Sequence, residues 1–252
     1  MIEIFILSLI QGITEFLPIS SSSHLILVSE FLDFKNQSLS IDVSLHIGSF
    51  MAVVIYFNKD LSNFFYNKVL FFKIFISSIP VMIIGFFLVK SGLIEKIRNL
   101  ETIAWTTIIF GILLYISDRF KLEKKIKNNF SYKSAIFIGF LQILSLIPGV
   151  SRSGIAITAA RLLNFKRIDS AKISFLISIP ILGAVSFFGL KNLIMEENGT
   201  LTKVNLISIL LSFIFSFITI KYFLNYLKRF NLNFFVFYRI LLGVIILLFA
   251  NL

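Results

Sequence analysis

The residues best suited to chemistry are an arginine between two serines, Ser151-Arg152-Ser153, which a Pro-Gly pair introduces. Apolar runs at 135–147 and 155–163 flank this group, so hydropathy places Arg152 at membrane depth. A charge there costs about 2.5–3.5 kcal/mol on insertion scales, and such residues usually mark a functional site. A guanidinium and neighbouring hydroxyls are suited to binding an anion such as a phosphate. The alternative is that this stretch is only a cytoplasmic loop between two short surface helices.

A second polar group lies near the N-terminus, where another apolar run is broken at a proline. It comprises Gln11, Glu15, Pro18, the four serines Ser20 to Ser23, and His24. Gln11 and Glu15 are four residues apart and therefore share one helix face. A carboxylate within an apolar run requires a cation, a metal or a water-lined cavity, and Arg152 is the natural cationic partner. A purely structural Glu15–Arg152 ion pair is the alternative.

Both serine groups lie where a second short helix is expected to begin. The N-terminus of a helix exposes N–H groups and the positive end of the helix dipole, which suits phosphate. We therefore predict that four serines bind substrate together with the arginine: Ser20, Ser22, Ser151 and Ser153, with Arg152. Any single serine among them could instead serve only as a helix cap.

His24 follows Ser20 by four residues and Ser21 by three, so its imidazole can approach a serine hydroxyl. A base beside a hydroxyl, with a carboxylate near, is the outline of nucleophilic catalysis or of acid–base help to a leaving phosphate. The predicted catalytic residues are Glu15, Ser21, His24 and Arg152. The sequence leaves three nucleophiles open, namely Ser21 activated by His24, His24 itself, or a metal-activated water.

A divalent cation is the predicted cofactor, with Glu15 and Gln11 as its ligands. Oxygen ligands in a low-dielectric site suit a hard cation such as Mg²⁺ or Ca²⁺ that bridges phosphate oxygens. The chain has two histidines without zinc spacing and no cysteine, which excludes thiol catalysis. We interpret the second histidine, His46, as structural.

The composition indicates a polytopic membrane protein. Of the 252 residues, 57% are hydrophobic and 15% are charged, whereas a soluble domain has roughly 25% charged residues. The net charge of +11 is spread between apolar runs rather than along a stripe. We attribute it to the positive-inside rule and expect no nucleic acid partner. The N-terminus has no basic region and no small-residue cleavage site, so we interpret it as a mature segment.

The apolar runs predict an all-α fold that forms one membrane domain, 1–252, with two similar halves. Each half, at about 1–118 and about 134–252, consists of a proline-broken re-entrant hairpin followed by three transmembrane helices. Three spans are an odd number, so the second half is inverted relative to the first. Paired broken segments of this kind indicate a binding site at the midplane between the repeats.

The basic connector at 119–133 sets the orientation. It carries six basic residues, Arg119, Lys121, Lys124, Lys125, Lys127 and Lys133, and the positive-inside rule places it in the cytoplasm. Both termini are then predicted to be extracytoplasmic. We also match the prolines of the two halves, pairing Pro18 with Pro148 in the hairpins and Pro80 with Pro180 within full spans.

Two motifs in order resemble the undecaprenyl-diphosphatase (bacitracin-resistance) family. Residues 11–24, QGITEFLPISSSSH, are similar to its Glu/Gln-x-x-x-Glu and Ser-Ser-x-x-His region, and 148–153 resemble its Pro-Gly-x-Ser-Arg-Ser motif. The resemblance covers essentially the whole chain. Two departures stand out, because Ser22-Ser23 replace a frequent Thr-Gly and Ala156 replaces a common threonine.

The resemblance implies a phosphatase of the bacterial cytoplasmic membrane that converts undecaprenyl diphosphate to undecaprenyl phosphate. This activity would recycle the lipid carrier for cell-wall synthesis and confer bacitracin resistance. The resemblance also implies inverted re-entrant repeats and a site open to the extracytoplasmic side. It assigns metal binding or catalysis to Gln11 and Glu15, the Ser/His site to Ser20, Ser21 and His24, and the diphosphate clamp to Arg152 with its flanking serines.

The expected partners are the polyprenyl diphosphate substrate and the surrounding membrane lipids, and the oligomeric state is left open. A transporter or flippase for a phosphorylated lipid is the alternative function. Inverted repeats with broken hairpins are a carrier architecture, and an Arg/Ser pocket can bind a phosphate headgroup without cleaving it.

Overall fold

The computed structural model describes residues 1–32, 34, 38–64, 68–93, 97–196 and 202–250. Residue 33 of the first predicted hairpin and residues 251 and 252 of the last predicted span lie outside the described residues. The described helices, in chain order, are α1 Ile2–Thr14, α2 Ser21–Leu32, α3 Leu39–Tyr56, α4 Asn58–Phe64, α5 Lys68–Lys90, α6 Leu100–Asp118, α7 Ile126–Asn129, α8 Tyr132–Gln142, α9 Arg152–Leu162, α10 Arg167–Glu196, α11 Lys203–Tyr226 and α12 Asn233–Ala250. A 3-10 turn, Ile143–Leu146, extends α8.

The fold is that of an all-α polytopic membrane protein, as predicted. Five of the described helices are long and apolar enough to cross a membrane, namely α3, α5, α6, α10 and α11. The sixth predicted span, α12, is among the shorter apolar helices over Asn233–Phe249. Large apolar side chains such as Phe72, Phe87 and Phe187 are exposed on the long helices. A helix surface of this kind is suited to lipid, because its backbone polar groups are satisfied internally.

The helices of the two hairpins, α1 with α2 and α8 with α9, are each too short to cross a bilayer. The 13 residues of α1 extend about 20 Å, whereas the hydrocarbon core is about 30 Å thick. Both hairpins break next to their prolines, as predicted. α2 begins three residues after Pro18, and α9 begins four residues after Pro148. The two breaks place the serine groups at the beginnings of α2 and α9, as the sequence predicted.

The two halves pack on each other reciprocally. The first hairpin helix of each half contacts the second long helix of the other, so that α1 packs on α11 and α8 packs on α5. The first long helices, α3 and α10, contact each other, and so do the last, α6 and α12. A twofold relation between the halves would give this pattern, and the inverted repeat stays a prediction.

Pro80 and Pro180 both lie within long helices, as predicted, but the predicted match between their positions in the two halves is wrong. Pro80 lies in α5, the second long helix of the first half, whereas Pro180 lies in α10, the first long helix of the second half. The two proline segments instead contact each other, since Ser78 Oγ donates a 3.1 Å hydrogen bond to the carbonyl of Ile177. Neighbouring hydroxyls commonly satisfy backbone groups where proline interrupts a membrane helix.

A buried ion network joins the helix ends next to the basic connector. Asp118, at the end of α6, accepts from Arg161 Nε at 3.3 Å and from Arg167 Nε at 2.7 Å. It also accepts from the backbone N–H of Leu232, just before α12, at 3.1 Å. Arg161 is fully buried and donates further to nearby carbonyls. Removing one member would leave an uncompensated buried charge, so this network fixes α6, α9 and α10 together.

Candidate active site

Each hairpin break ends on a serine with a left-handed backbone conformation, Ser20 with φ 73° and Ser151 with φ 70°. Positive φ is uncommon for residues other than glycine, and such strain clusters at functional sites. Ser20 directly precedes α2, and Ser151 directly precedes α9. Ser151 Oγ accepts from the N–H of Gly154 at 3.1 Å and therefore caps α9. The two breaks thus present two helix N-termini through similar local structures.

The second break is held by α6. Gly149 has φ 90°, and a Cβ at this position would collide with the hydroxyl of Thr106. Thr106 Oγ1 donates a 2.5 Å hydrogen bond to the carbonyl of Pro148. Glycine is therefore required here both for its positive φ and for the close approach of the α6 threonines.

Arg239, from α12, connects the two breaks. Its guanidinium is fully buried and donates to the carbonyl of Pro18 in the first break at 3.2 Å. It also donates to the carbonyls of Gly149 and Val150 in the second break, at 2.9 and 3.1 Å. One side chain therefore fixes the two hairpins relative to each other. Arg239 was not among the predicted site residues, although an arginine inside an apolar run is the signal that identified Arg152.

Glu15 lies at the centre of the predicted residues. Its Oε1 accepts from Nη2 of Arg152, so the expected ion pair across the two hairpins is present. Its Oε2 accepts from Ser21 Oγ at 2.5 Å and from Gln11 Nε2 at 3.1 Å. The Glu15 side chain is 3% exposed and that of Arg152 is 20% exposed. Arg152 is therefore the partner that is accessible to a ligand.

His24 makes no hydrogen bond to Ser21, so the expected Ser21–His24 pair is not formed in this structure. Its Nδ1 lies 2.6 Å from the carbonyl oxygen of Ser20 and its Nε2 lies 2.6 Å from the hydroxyl of Tyr238. The two rings are stacked, with centroids 5.7 Å apart. Because a carbonyl can only accept, the hydrogen-bond network assigns the Nδ1 proton to this contact. The base that contacts the Ser21 hydroxyl is Glu15.

A cavity of about 210 Å³ lies where the two breaks meet. Its polar wall carries Arg152, a carboxylate and serine hydroxyls, and its apolar wall comes from α5 and α10. The lining residues are Glu15, Ser20, Ser21, Ser22, Val81, Ser145, Leu146, Ser151, Arg152, Ile181 and Val185. Ser153 and His24 do not line it. Ser153 Oγ instead donates to the carbonyl of Leu17 at 2.7 Å, which ties the second hairpin to the first.

Gln11 connects the carboxylate to a histidine that the sequence analysis interpreted as structural. Its Nε2, which donates to Glu15, also lies 3.1 Å from Nδ1 of His46 and 3.5 Å from Ser49 Oγ. Its Oε1 is buried and has no hydrogen-bond partner among the described residues. His46 therefore supports the site from behind Gln11. Local sequence gave no signal for this contact, because 35 residues separate the two side chains.

The residues present offer few ligands for a metal ion. In the described part of the chain, no group of three or more acidic or histidine side chains could hold one. Glu15 is the one carboxylate among the described residues that line the cavity, and the unpartnered Oε1 of Gln11 is a second oxygen donor. With only these two oxygen donors, a cation such as Mg²⁺ would take most of its coordination from phosphate oxygens and water.

The chain is similar to proteins of known family over nearly its whole length. Residues 4–245 match the profile of the family described as bacitracin resistance protein BacA. An undecaprenyl-diphosphatase of Pelagibacter ubique (strain HTCC1062) is 51% identical over 246 residues, which cover 97% of this chain and 96% of the relative. An undecaprenyl-diphosphatase of Saccharophagus degradans is 41% identical over 94% of this chain and 93% of that protein. One of Jannaschia sp. is 37% identical over 98% and 97%.

Proposed function

We propose that this chain, which belongs to the bacitracin resistance protein BacA family, is a membrane phosphatase that hydrolyses undecaprenyl diphosphate to undecaprenyl phosphate and inorganic phosphate. The activity recycles the lipid carrier for cell-wall synthesis and confers bacitracin resistance. The names of the relatives support the substrate. The observation that carries the proposal is the contact of Glu15 with both Ser21 and Arg152 at the cavity between the hairpins.

The polar wall of this cavity is suited to a diphosphate. Of the Arg152 guanidinium nitrogens, only Nη2 hydrogen-bonds to another described residue. The other N–H groups of Arg152 can therefore bind phosphate oxygens. The N-termini of α2 and α9 add backbone N–H groups and dipole charge, and Ser20, Ser22 and Ser151 add hydroxyls. The apolar wall from α5 and α10 offers a surface for the first prenyl units of the substrate.

Ser21 is the nucleophile that the geometry supports best. Its hydroxyl already donates to Glu15, so a base is in place for its proton. Attack of Ser21 Oγ on the terminal phosphorus breaks the bond to the bridging oxygen, and undecaprenyl phosphate leaves. Water then attacks the phosphoserine, which releases inorganic phosphate and returns a proton to Ser21. Arg152 and the helix N–H groups stabilise the charge of the transferring phosphoryl group.

His24 acts on this chemistry as a positioning residue. Its Nδ1 donates to the carbonyl of Ser20, and Tyr238 fixes its ring. Ser20 has a left-handed backbone conformation and directly precedes the nucleophile. Glu15 and Oε1 of Gln11 are the residues that would hold a divalent cation, Mg²⁺ or Ca²⁺. When bound, such a cation would neutralise charge on the phosphate oxygens.

We place the protein in the bacterial cytoplasmic membrane, with the connector at 119–133 in the cytoplasm and both termini outside. The support for this orientation is the six basic residues of the connector. The hairpin breaks and the cavity then open to the extracytoplasmic side.

The direct test is phosphate release from undecaprenyl diphosphate by the purified protein. We expect turnover by the natural chain and its loss in Arg152→Ala and Ser21→Ala. Ser145→Ala is the matched control, because Ser145 lines the same cavity but its hydroxyl donates to the carbonyl of Gln142 at 2.6 Å and has no part in the mechanism. Substrate binding without any turnover in the natural chain would favour the carrier alternative.

A further inference from the structure

A second cavity, of about 520 Å³, lies at the end of the bundle away from the hairpin breaks. It is formed by the end of α3, the beginning of α10 and the end of α11. Three lysines line it, Lys172 from α10, Lys221 from α11 and Lys228 from the turn after α11, together with the aromatic rings of Tyr56 and Tyr222. Nothing in the phosphatase mechanism uses these residues.

The three lysines have no carboxylate partner within the described ranges of the chain. The acidic residue nearest to Lys172 in sequence, Asp169, instead accepts from the backbone N–H of Ile126 at 2.9 Å. Three like charges around one cavity repel each other, and an anion between them removes that repulsion. Lysine ammonium groups are compact point charges that bind phosphate oxygens.

The surface next to this cavity indicates that the anion is part of a lipid. A stripe that winds along the surface of α11 carries five large side chains spaced four residues apart, all of them exposed: Leu206, Leu210, Ile214, Ile218 and Tyr222. This stripe ends at the cavity, because Tyr222 is one of its lining residues. An acyl chain can lie along the stripe while its headgroup reaches the lysines, and tyrosine is common at that interfacial depth. A soluble phosphate ion would gain nothing from the stripe.

The second cavity is separate from the active site. α10 contributes to both, with Lys172 lining one cavity and Ile181 and Val185 lining the other. The nearest of these residues, Lys172 and Ile181, are separated by nine residues of helix, or about 14 Å, so a phosphate group bound in one cavity does not reach the other. Basic pockets between membrane helices are known to bind the headgroups of anionic lipids.

We propose that the cavity lined by Lys172, Lys221 and Lys228 binds the phosphate headgroup of an anionic membrane lipid, with the acyl chains along the exposed stripe of α11. The lipid belongs to the leaflet at the connector end of the bundle. This site is independent of the phosphatase proposal, because none of its residues contacts the active-site cavity.

The test measures lipid binding to the full-length protein in detergent by native mass spectrometry. The probes are phosphatidylglycerol, zwitterionic phosphatidylcholine and inorganic phosphate. The test variant is the triple change Lys172→Gln, Lys221→Gln and Lys228→Gln. The matched control is Lys125→Gln, Lys127→Gln and Lys133→Gln, which removes the same charge from exposed positions on the connector. Hydrolysis of undecaprenyl diphosphate is assayed in parallel and verifies that each variant is folded.

We expect the natural chain and the connector variant to bind phosphatidylglycerol in preference to phosphatidylcholine. At about 1 kcal/mol for each lysine near the membrane surface, the cavity variant should bind phosphatidylglycerol at least about tenfold more weakly. The single change Lys221→Gln, at an exposed position, should weaken binding by about fivefold on the same basis. Equal losses in both triple variants, or no loss in the cavity variant, would overturn the site. Competition by inorganic phosphate as effective as that by the lipid would overturn the lipid assignment.

Discussion

Ser21 Oγ donates a 2.5 Å hydrogen bond to Oε2 of Glu15, while the other oxygen of this carboxylate is bound by Arg152. A single buried carboxylate thus contacts a hydroxyl from one hairpin and a guanidinium from the other. The contact aligns a nucleophile, its base and a phosphate-binding cation around one cavity. The proposed hydrolysis depends on this alignment.

The first prediction concerns the shape of the Arg152 guanidinium. Arg152→Lys keeps the charge but removes the forked donor that can hold Glu15 and a phosphate oxygen together. We expect kcat/KM for undecaprenyl diphosphate to fall by about 10²-fold, as for the loss of one donor to a developing oxyanion. Phosphate release by the purified variant measures this. A variant with nearly normal rates would contradict the clamp role of Arg152.

The second prediction concerns the connection between the two hairpins. Arg239→Lys leaves a shorter point charge among the carbonyls of Pro18, Gly149 and Val150, which are then left partly unsatisfied. Each buried unsatisfied group costs about 1–3 kcal/mol, so we expect a lower Tm and reduced kcat. Arg229→Lys is the control, because Arg229 is exposed in the loop before α12. Unchanged Tm and kcat in Arg239→Lys would show that Arg239 does not hold the hairpins together.

The third prediction separates a positioning histidine from a nucleophilic one. The side-chain amide of Asn can replace the Nδ1 donor of His24 and bind the Ser20 carbonyl, but it cannot form a phosphoenzyme. His24→Asn should therefore retain far more activity than His24→Phe, which removes the donor. Tyr238→Phe, which deletes only the hydroxyl at Nε2, should have a smaller effect than either. Equal and complete loss in His24→Asn and His24→Phe would favour attack by His24.

The fourth prediction concerns the divalent cation. If Oε1 of Gln11 is one of its ligands, a chelator should abolish activity, and Mg²⁺ or Ca²⁺ should restore it. Gln11→Leu should then require about tenfold more Mg²⁺ for half-maximal activity, because removing a ligand or its support typically costs 10–100-fold in affinity. The measurement is phosphate release as a function of free Mg²⁺. Activity that is indifferent to chelator would rule out the cation.

The parts of the site that the sequence predicted are those that follow from local rules. Pro18 and Pro148 break apolar runs too short to span a bilayer, and this was enough to locate α2 and α9. An acidic and a basic side chain at membrane depth each require a partner of opposite charge, which predicts the contact between Glu15 and Arg152. These inferences needed only chain direction, helix geometry and the cost of an unpaired charge.

The parts that could not be predicted depend on long-range packing. Tyr238 and Arg239 reach the hairpins because α12 packs on α6, and more than 200 residues separate them from His24 and Pro18. Spacing along a helix allowed Ser21 to pair with His24, and only the position of the Tyr238 hydroxyl and the Glu15 carboxylate decided otherwise. Pro80 and Pro180 lie in different helices of their halves, which shows that the order of residues alone does not establish which positions of two halves correspond.

Attack by Ser21 is tested most directly by a rapid acid quench after mixing enzyme with undecaprenyl diphosphate labelled in its terminal phosphate. Phosphoserine survives acid, whereas phosphohistidine does not, so the quench identifies the nucleophile. We expect labelled protein with the label on Ser21, present in the Ser145→Ala control and absent from Ser21→Ala. Rapid phosphate release by the natural chain with no acid-stable label, together with substantial turnover by Ser21→Ala, would contradict attack by Ser21.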